Sequence, residues 1–254
     1  MIHFLRICAM EMKLARSSWS ESFAVVVEPT AYALIIGLLF RGADPGRAAL
    51  AVLGAGMMGA WTSVLYAAAS SLQTSRQMAV LEPLTATPTP LYRVTAAASV
   101  SAALLGLVPV GAAGLIGHFV FGLRMTPADP GTFALGLALF FLGLVTVGML
   151  IAPLFVSYPH ATALANVGDY PAFIIGGLLV PVTFLPAWVQ PLSYLFPPSW
   201  GVRLMQDSLP GTAGGVVLPV TLALVSCTVA AVGGVALMRR LEAAALRSGT
   251  LGVI

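Results

Sequence analysis

Six stretches of this chain are apolar for about twenty residues each, roughly 24–40, 48–72, 94–121, 132–156, 165–184 and 216–238. A helix that crosses the hydrocarbon of a bilayer needs about 20 predominantly apolar residues. Only 8% of the residues are charged and 59% are hydrophobic, whereas soluble domains carry about 25% charge. So little charge cannot clothe a surface that faces water. In lipid every backbone polar group must find its partner within the protein, which leaves helices and closed barrels. Runs of this length select helices. The expected fold is all-α: a polytopic membrane protein of six transmembrane helices, forming one transmembrane domain over 1–254.

The connecting segments divide it further. Residues 1–23 carry Leu5, Cys8, Met12, Ala15, Trp19 and Phe23 at steps of three and four, with Arg6, Lys13, Ser17 and Ser20 opposite. That spacing suggests an interfacial helix lying on the membrane, with an ordinary tail as the alternative. Spans one and two fall within 24–72, a polar segment covers 73–93, and spans three to five fall within 94–184. The segment 185–215 is apolar and aromatic but rich in proline, so it cannot expose its backbone to lipid. Short re-entrant helices between spans five and six are expected there. Span six covers 216–238, and 239–254 is a tail.

With six spans, Arg6, Lys13, Arg16, Arg76, Arg93, Arg239, Arg240 and Arg247 share one side, against Arg41, Arg47, Arg124 and Arg203 on the other. The richer side is the cytoplasmic one by the positive-inside rule. Both termini and 73–93 are therefore expected in the cytoplasm and 185–215 outside, where Trp188, Tyr194 and Trp200 suit the headgroup layer. The net charge of +3 comes from few residues. It bears on orientation and gives no reason to expect a nucleic-acid partner.

The second span repeats small residues every fourth position at Ala51, Ala55, Gly59, Ser63, Ala67 and Ser71. Such a face allows a second helix to approach closely, within the chain or in another subunit. On the same span, Met57, Met58, Trp61 and Tyr66 are candidates to line a path for greasy cargo, or to pack in the core or against lipid. Glu28 and Asp169 are the acidic groups inside the expected spans. Both fall near span ends, which favours an interfacial or structural role over a part in substrate passage.

The chain shows no Walker A, HExxH or GxSxG pattern, and His3, His118 and His160 are scattered. No catalytic residue, bound cofactor or metal is expected. Cys8 and Cys227 show neither metal nor disulfide spacing and read as small buried hydrophobes. The N-terminus lacks the uninterrupted apolar stretch of a signal peptide.

Two further stretches carry a resemblance. "SRQMAVLEPLTATP" follows the second span, with Arg76, Leu81, Glu82, Leu84, Thr87 and Pro88 in a pattern like E-R-E-x-G-T-L-E-x-L-x-x-T-P. "GGLLVPVTFLPAWVQPLSYLFPPSWGVR" holds Pro181, Leu185, Pro186, Trp188, Pro197 and Arg203 in the order proline, L-P-x-W, proline, arginine. In order and with six spans, these resemble the membrane permeases of type-2 ATP-binding-cassette (ABC) exporters, over essentially the whole chain. Ser75, Gln77, Ala79 and Val80 depart from the first pattern.

The resemblance implies that Arg76, Leu81, Glu82, Leu84, Thr87 and Pro88 form an ATPase-coupling segment. A short helix there would be broken by Pro83, Pro88 and Pro90, since proline lacks the N–H a helix needs. Pro181, Leu185, Pro186, Trp188 and Pro197 would belong to an extracellular gate. The resemblance further implies a second permease, identical or homologous, and separate ABC ATPase subunits that hold ATP and magnesium. The chain itself would not be an enzyme. Export of a hydrophobic or amphipathic compound is the expected activity, with a drug, an antibiotic or a lipid-like molecule as cargo. Multidrug efflux or antibiotic resistance in a bacterial inner or plasma membrane would follow. An ion-coupled secondary transporter or a channel working without an ATPase is the alternative.

Overall fold

In the computed structural model the described residues are 19–40, 45–77, 91–123, 127–156, 161–179, 181–209 and 215–248. They form eight α-helices: α1 (Trp19–Leu39), α2 (Pro45–Gln77), α3 (Leu91–Phe119), α4 (Pro130–Val156), α5 (Ala161–Ile175), α6 (Gln190–Leu195), α7 (Pro197–Ser208) and α8 (Val217–Ser248). One 3-10 turn spans Val182–Phe184. The described residues contain no strand.

Among the described residues, four helices are long and apolar enough to cross a membrane, within Gly46–Ala68, Tyr92–Phe119, Pro130–Phe155 and Val217–Ala244. These correspond to the second, third, fourth and sixth expected spans. The first expected span lies in α1, whose described apolar stretch, Thr30–Leu39, is short. The fifth is broken, because α5 has 15 residues, roughly 22 Å at about 1.5 Å per residue. Its end carries a local signal. Gly177 adopts φ 71°, the left-handed conformation that suits glycine. The Gly177 amide donates to the Ile174 carbonyl at 3.1 Å and the Leu178 amide to the Phe173 carbonyl at 3.1 Å. That pair of bonds is a Schellman cap. Leu178 and Phe173 are both buried in the main core, so the cap is also held by apolar packing.

The bundle is organised around α2. Every residue from Val52 to Trp61 is buried. On one side α2 meets α3 with almost no side chain between them: a Cβ on Gly56 would come within 2.8 Å of the Val110 backbone, and one on Gly106 within 3.0 Å of Ala60. α1 packs against the same pair through Ala33, with Val52, Ala55 and Ala113. The small-residue periodicity of the second span therefore places Ala55 in a contact inside this chain. α5 leans on α2 from another side, and α4 contacts α2 and α3. α8 lies against α4 and α7.

Candidate functional site

The segment between α5 and α8 was expected to lie outside as a cap. Its structure is divided. The 3-10 turn and α6 are largely exposed, with Phe184 75%, Trp188 77% and Leu195 70% accessible. Helix α7 is not: ten of its residues are buried, from Pro197 to Ser208. It folds back into the bundle and packs on α4 backbone to backbone. A Cβ on Gly136 would meet the Gly201 carbonyl at 2.9 Å, and one on Gly143 would meet the Pro198 nitrogen at 2.7 Å. Gly201 faces the Phe140 backbone with no room for a side chain. Close contacts between small residues are how helices associate in lipid, where apolar burial gives little advantage.

Local sequence sets the break between α6 and α7. Pro197 and Pro198 have no N–H with which to continue α6 and have φ preset for a first helical turn. Phe196 sits at the corner in extended conformation. The Ser199 hydroxyl is directed at the carbonyls of Ser193 and Phe196, 2.7 Å from the latter. The Trp200 indole N–H donates to the Tyr194 carbonyl at 3.0 Å. Tyr194 and Trp200 stack at 5.5 Å, with the Arg203 guanidinium 4.4 Å and 5.0 Å from their ring centres. Trp200, expected at the headgroup layer, is 5% exposed and turned inward by this stack.

One contact joins the start of the outer segment to α2, and a second joins α7 to that start. A Cβ on Gly54 would run into the Leu178 carbonyl, so the capped end of α5 rests directly on the helix backbone. The Gln206 side-chain amide of α7 donates to the Gly177 carbonyl at 2.9 Å. About two turns further along α2, the Phe196 ring packs 5.1 Å from that of Trp61 and closes on Gly176 at 3.0 Å from its Cβ position. A single seam, Gly54–Leu178–Gln206 above and Trp61–Phe196 below, thus connects α2 with the hinge between α6 and α7.

A third tie holds the start of α4. Asp129 caps it, accepting from the Gly131 and Thr132 amides at 3.1 and 3.2 Å and from the Thr132 hydroxyl at 2.6 Å. Its own amide donates to the Ser208 carbonyl at the end of α7 at 3.3 Å. The Thr132 hydroxyl, followed by its amide, holds the Asp129 carboxyl below the usual carboxylate range, because hydrogen bonds to the ionised form favour it.

The candidate residues fall as follows. Pro181 is half-buried and its carbonyl starts the 3-10 turn by accepting from the Phe184 amide at 3.0 Å. The Leu185 carbonyl accepts from the Gln190 side chain at 3.0 Å. Pro186 and Trp188 are exposed beside it, while Pro197 is buried at the start of α7. The gate candidates are therefore split between an exposed layer and the buried helix. Met57, Met58 and Trp61 lie in the main core of the chain, at 0%, 4% and 3% exposure, and Tyr66 is half-buried. The Trp61 indole nitrogen is buried with no hydrogen-bond acceptor among the described residues. Such a donor costs about 1–3 kcal/mol, and a native one calls for an explanation.

Asp169 is the charged side chain in the buried set among the described residues, at 8% exposure. It shares a face of α5 with Ala172 and Phe173, which join the core. Cys227 is buried with a free thiol. Of the coupling candidates, Arg76 belongs to the last turn of α2. Leu81, Glu82, Leu84, Thr87 and Pro88 lie outside the described residues, as does the proposed interfacial helix up to residue 18.

Phe196, Leu178 and Gln206 were not singled out from sequence. The glycine pair Gly136 and Gly143, seven residues apart on one face of the fourth span, was the available sign that something would pack against it.

The family model of the ABC-2 type transporter matches residues 3–209. No curated protein sequence matches the chain.

Proposed function

We propose that this chain, which belongs to the ABC-2 type transporter family, is the permease half of an exporter that moves a hydrophobic or amphipathic compound outward. Membership makes it the membrane component of an ABC transporter, with nucleotide chemistry on a separate ATPase, and the family implies pairing of permeases. The class of cargo, the outward direction and the seat of coupling are our reading. A drug, an antibiotic or a lipid-like molecule fits it.

The observation that carries this reading is the character of the seam around Trp61. Its surroundings are apolar, with Met57, Met58, Val64 and Leu65 in the same core, and its indole N–H is an unpartnered donor. That combination matches a compound with a large apolar body and a hydrogen-bond acceptor, which would satisfy the donor on entry. In the proposed cycle, the α6–α7 hinge moves off α2 and separates Phe196 from Trp61. ATP binding on the partner supplies the bias between the two arrangements, as it must for uphill transport. The segment 73–93, with Arg76, Leu81, Glu82, Leu84, Thr87 and Pro88, takes that movement from the ATPase.

The test is reconstitution with the ATPase subunit and measurement of ATP-dependent efflux of a fluorescent amphipath. Trp61→Phe, which keeps a ring and removes the donor, is expected to lower efflux of an acceptor-bearing probe about tenfold, the weight of one hydrogen bond in a dry site. It should leave co-purification of the ATPase intact. Glu82→Arg should instead abolish co-purification. The ion-coupled alternative would rest on the buried carboxylate of Asp169. Efflux that survives ATP depletion and collapses with the ion gradient would establish that alternative and end the proposal.

A further inference from the structure

Far from this seam, Tyr92 at the start of α3 lies between two cations. The Arg93 guanidinium is 5.9 Å from its ring centre and that of Arg239, from α8, is 5.4 Å away. α3 and α8 are in contact, so the two arginines are brought together by packing between helices. Arg240 follows on α8, and all three arginines are exposed while Tyr92 is half-buried.

Apart from the Tyr92 ring, over which both guanidiniums lie, nothing in the first turn of α3 favours a cation. Its first turn carries no acid, and the positive end of a helix dipole disfavours positive charge. Two guanidinium groups beside one phenol also repel each other. Glu242 lies one turn further along α8, and three arginines against that carboxylate leave the cluster positive. A single anion placed between the guanidiniums would relieve all of these terms.

The depth of the cluster identifies the kind of anion. Tyr92 opens one membrane-length apolar segment and Arg239 lies within another. Arg239 is roughly 33 Å along α8 from Val217 at about 1.5 Å per residue, close to the ~30 Å of bilayer hydrocarbon. The cluster therefore stands at the boundary between acyl chains and headgroups. Arginine binds phosphate oxygens bidentately, and aromatic rings with a polar tip favour this depth.

We infer that Tyr92, Arg93 and Arg239, with Arg240 beside them, form a binding site for the phosphate of an anionic phospholipid where α3 meets α8. The site is independent of what the transporter carries. A bound headgroup would tie α8 to the start of α3.

The full chain is reconstituted in nanodiscs of phosphatidylcholine with added phosphatidylglycerol. Lipid retained after detergent extraction is then measured by native mass spectrometry. Wild-type protein is expected to retain phosphatidylglycerol selectively. The Arg93→Gln/Arg239→Gln double variant should lose about tenfold or more of that selectivity, the weight of one charge-assisted contact. Arg239→Lys, which keeps the charge and loses the planar fork, should fall between. It also serves as the reporter if the double variant is unstable. Equal retention by wild type and variants overturns the inference. So does equal thermal stabilisation of phosphatidylcholine discs by inorganic phosphate, which would make the ligand a free anion. Loss of ATPase capture with unchanged lipid retention would reassign the arginines to the partner and overturn it as well.

Discussion

Helices α2 and α8 have nearly the same length, 33 and 32 residues, and both contain a membrane-length apolar segment. In α2 that segment is 83% buried within the chain, and in α8 it is 22% buried. The buried one is the less hydropathic of the two. In water the opposite order would be expected. In a membrane the surroundings are as apolar as leucine, so hydrophobicity does not select the centre of the bundle. Close approach does. α2 offers Gly54, Gly56 and Ala60, against which Leu178, Val110 and Gly106 lie at backbone distance. α8 spends Val217, Leu218, Leu224, Val225, Val229 and Val232 on its exposed face. It touches the bundle through a narrow stripe of Ala223, Cys227, Ala230 and Met238, with Gly234 against the Met149 carbonyl. Small residues mark where helices meet, and branched aliphatic ones mark the face this chain leaves exposed.

That contrast can be tested by unequal substitutions. The largest effect is expected from Gly54→Val on α2. The new Cβ would meet a carbonyl, and no rotamer relieves a backbone contact. The loss should exceed the about 1–3 kcal/mol of ordinary overpacking and show as absence of a monodisperse peak in size-exclusion chromatography. A normal peak from this variant would mean that α2 is not the axis of the bundle. Next comes Trp61→Ala, expected to cost about 3–5 kcal/mol as an aromatic deletion in a packed core. A fall in thermal unfolding temperature checks it, and Phe196→Ala should cost less when Trp61 is already gone, since the two rings are in contact. The smallest effect is expected from Val229→Ala on the exposed face of α8, within about 0.5 kcal/mol of wild type. A loss as large as that of Trp61→Ala would show that this face is covered by protein.

Four membrane-length helices stand where runs of apolar residues predict them, because length and hydropathy are sums over local sequence. The fifth stretch also reads as apolar for about twenty residues, yet its helix ends at Ile175. The reason is visible locally in Gly176 and Gly177, but the decision is tertiary: the cap holds because Leu178 docks on Gly54 and Gln206 bonds Gly177. The proline-rich segment reads as a set of short helices, which it is. Its aromatic residues suggest a surface layer, and they describe α6 correctly while missing that α7 is inside. Trp188 and Trp200 look alike in sequence, and one is 77% exposed while the other is 5% exposed. Among the path candidates, Met57, Met58 and Trp61 lie together in the core of the single chain.

Composition and order alone determined that this chain lives in a membrane, is helical, and belongs to the ABC-2 type transporter family. These follow from solvent physics and from residues close in sequence, where each backbone group and each run of twenty residues answers for itself. Only the tertiary structure decided that α2 is central, that α7 turns back against α4, that Trp61 meets Phe196 and that Arg93 and Arg239 share one tyrosine. Those facts depend on residues up to 146 positions apart, as Arg93 and Arg239 are. In lipid, moreover, pairing is chosen by the fit of small surfaces, which no local pattern of hydrophobicity records.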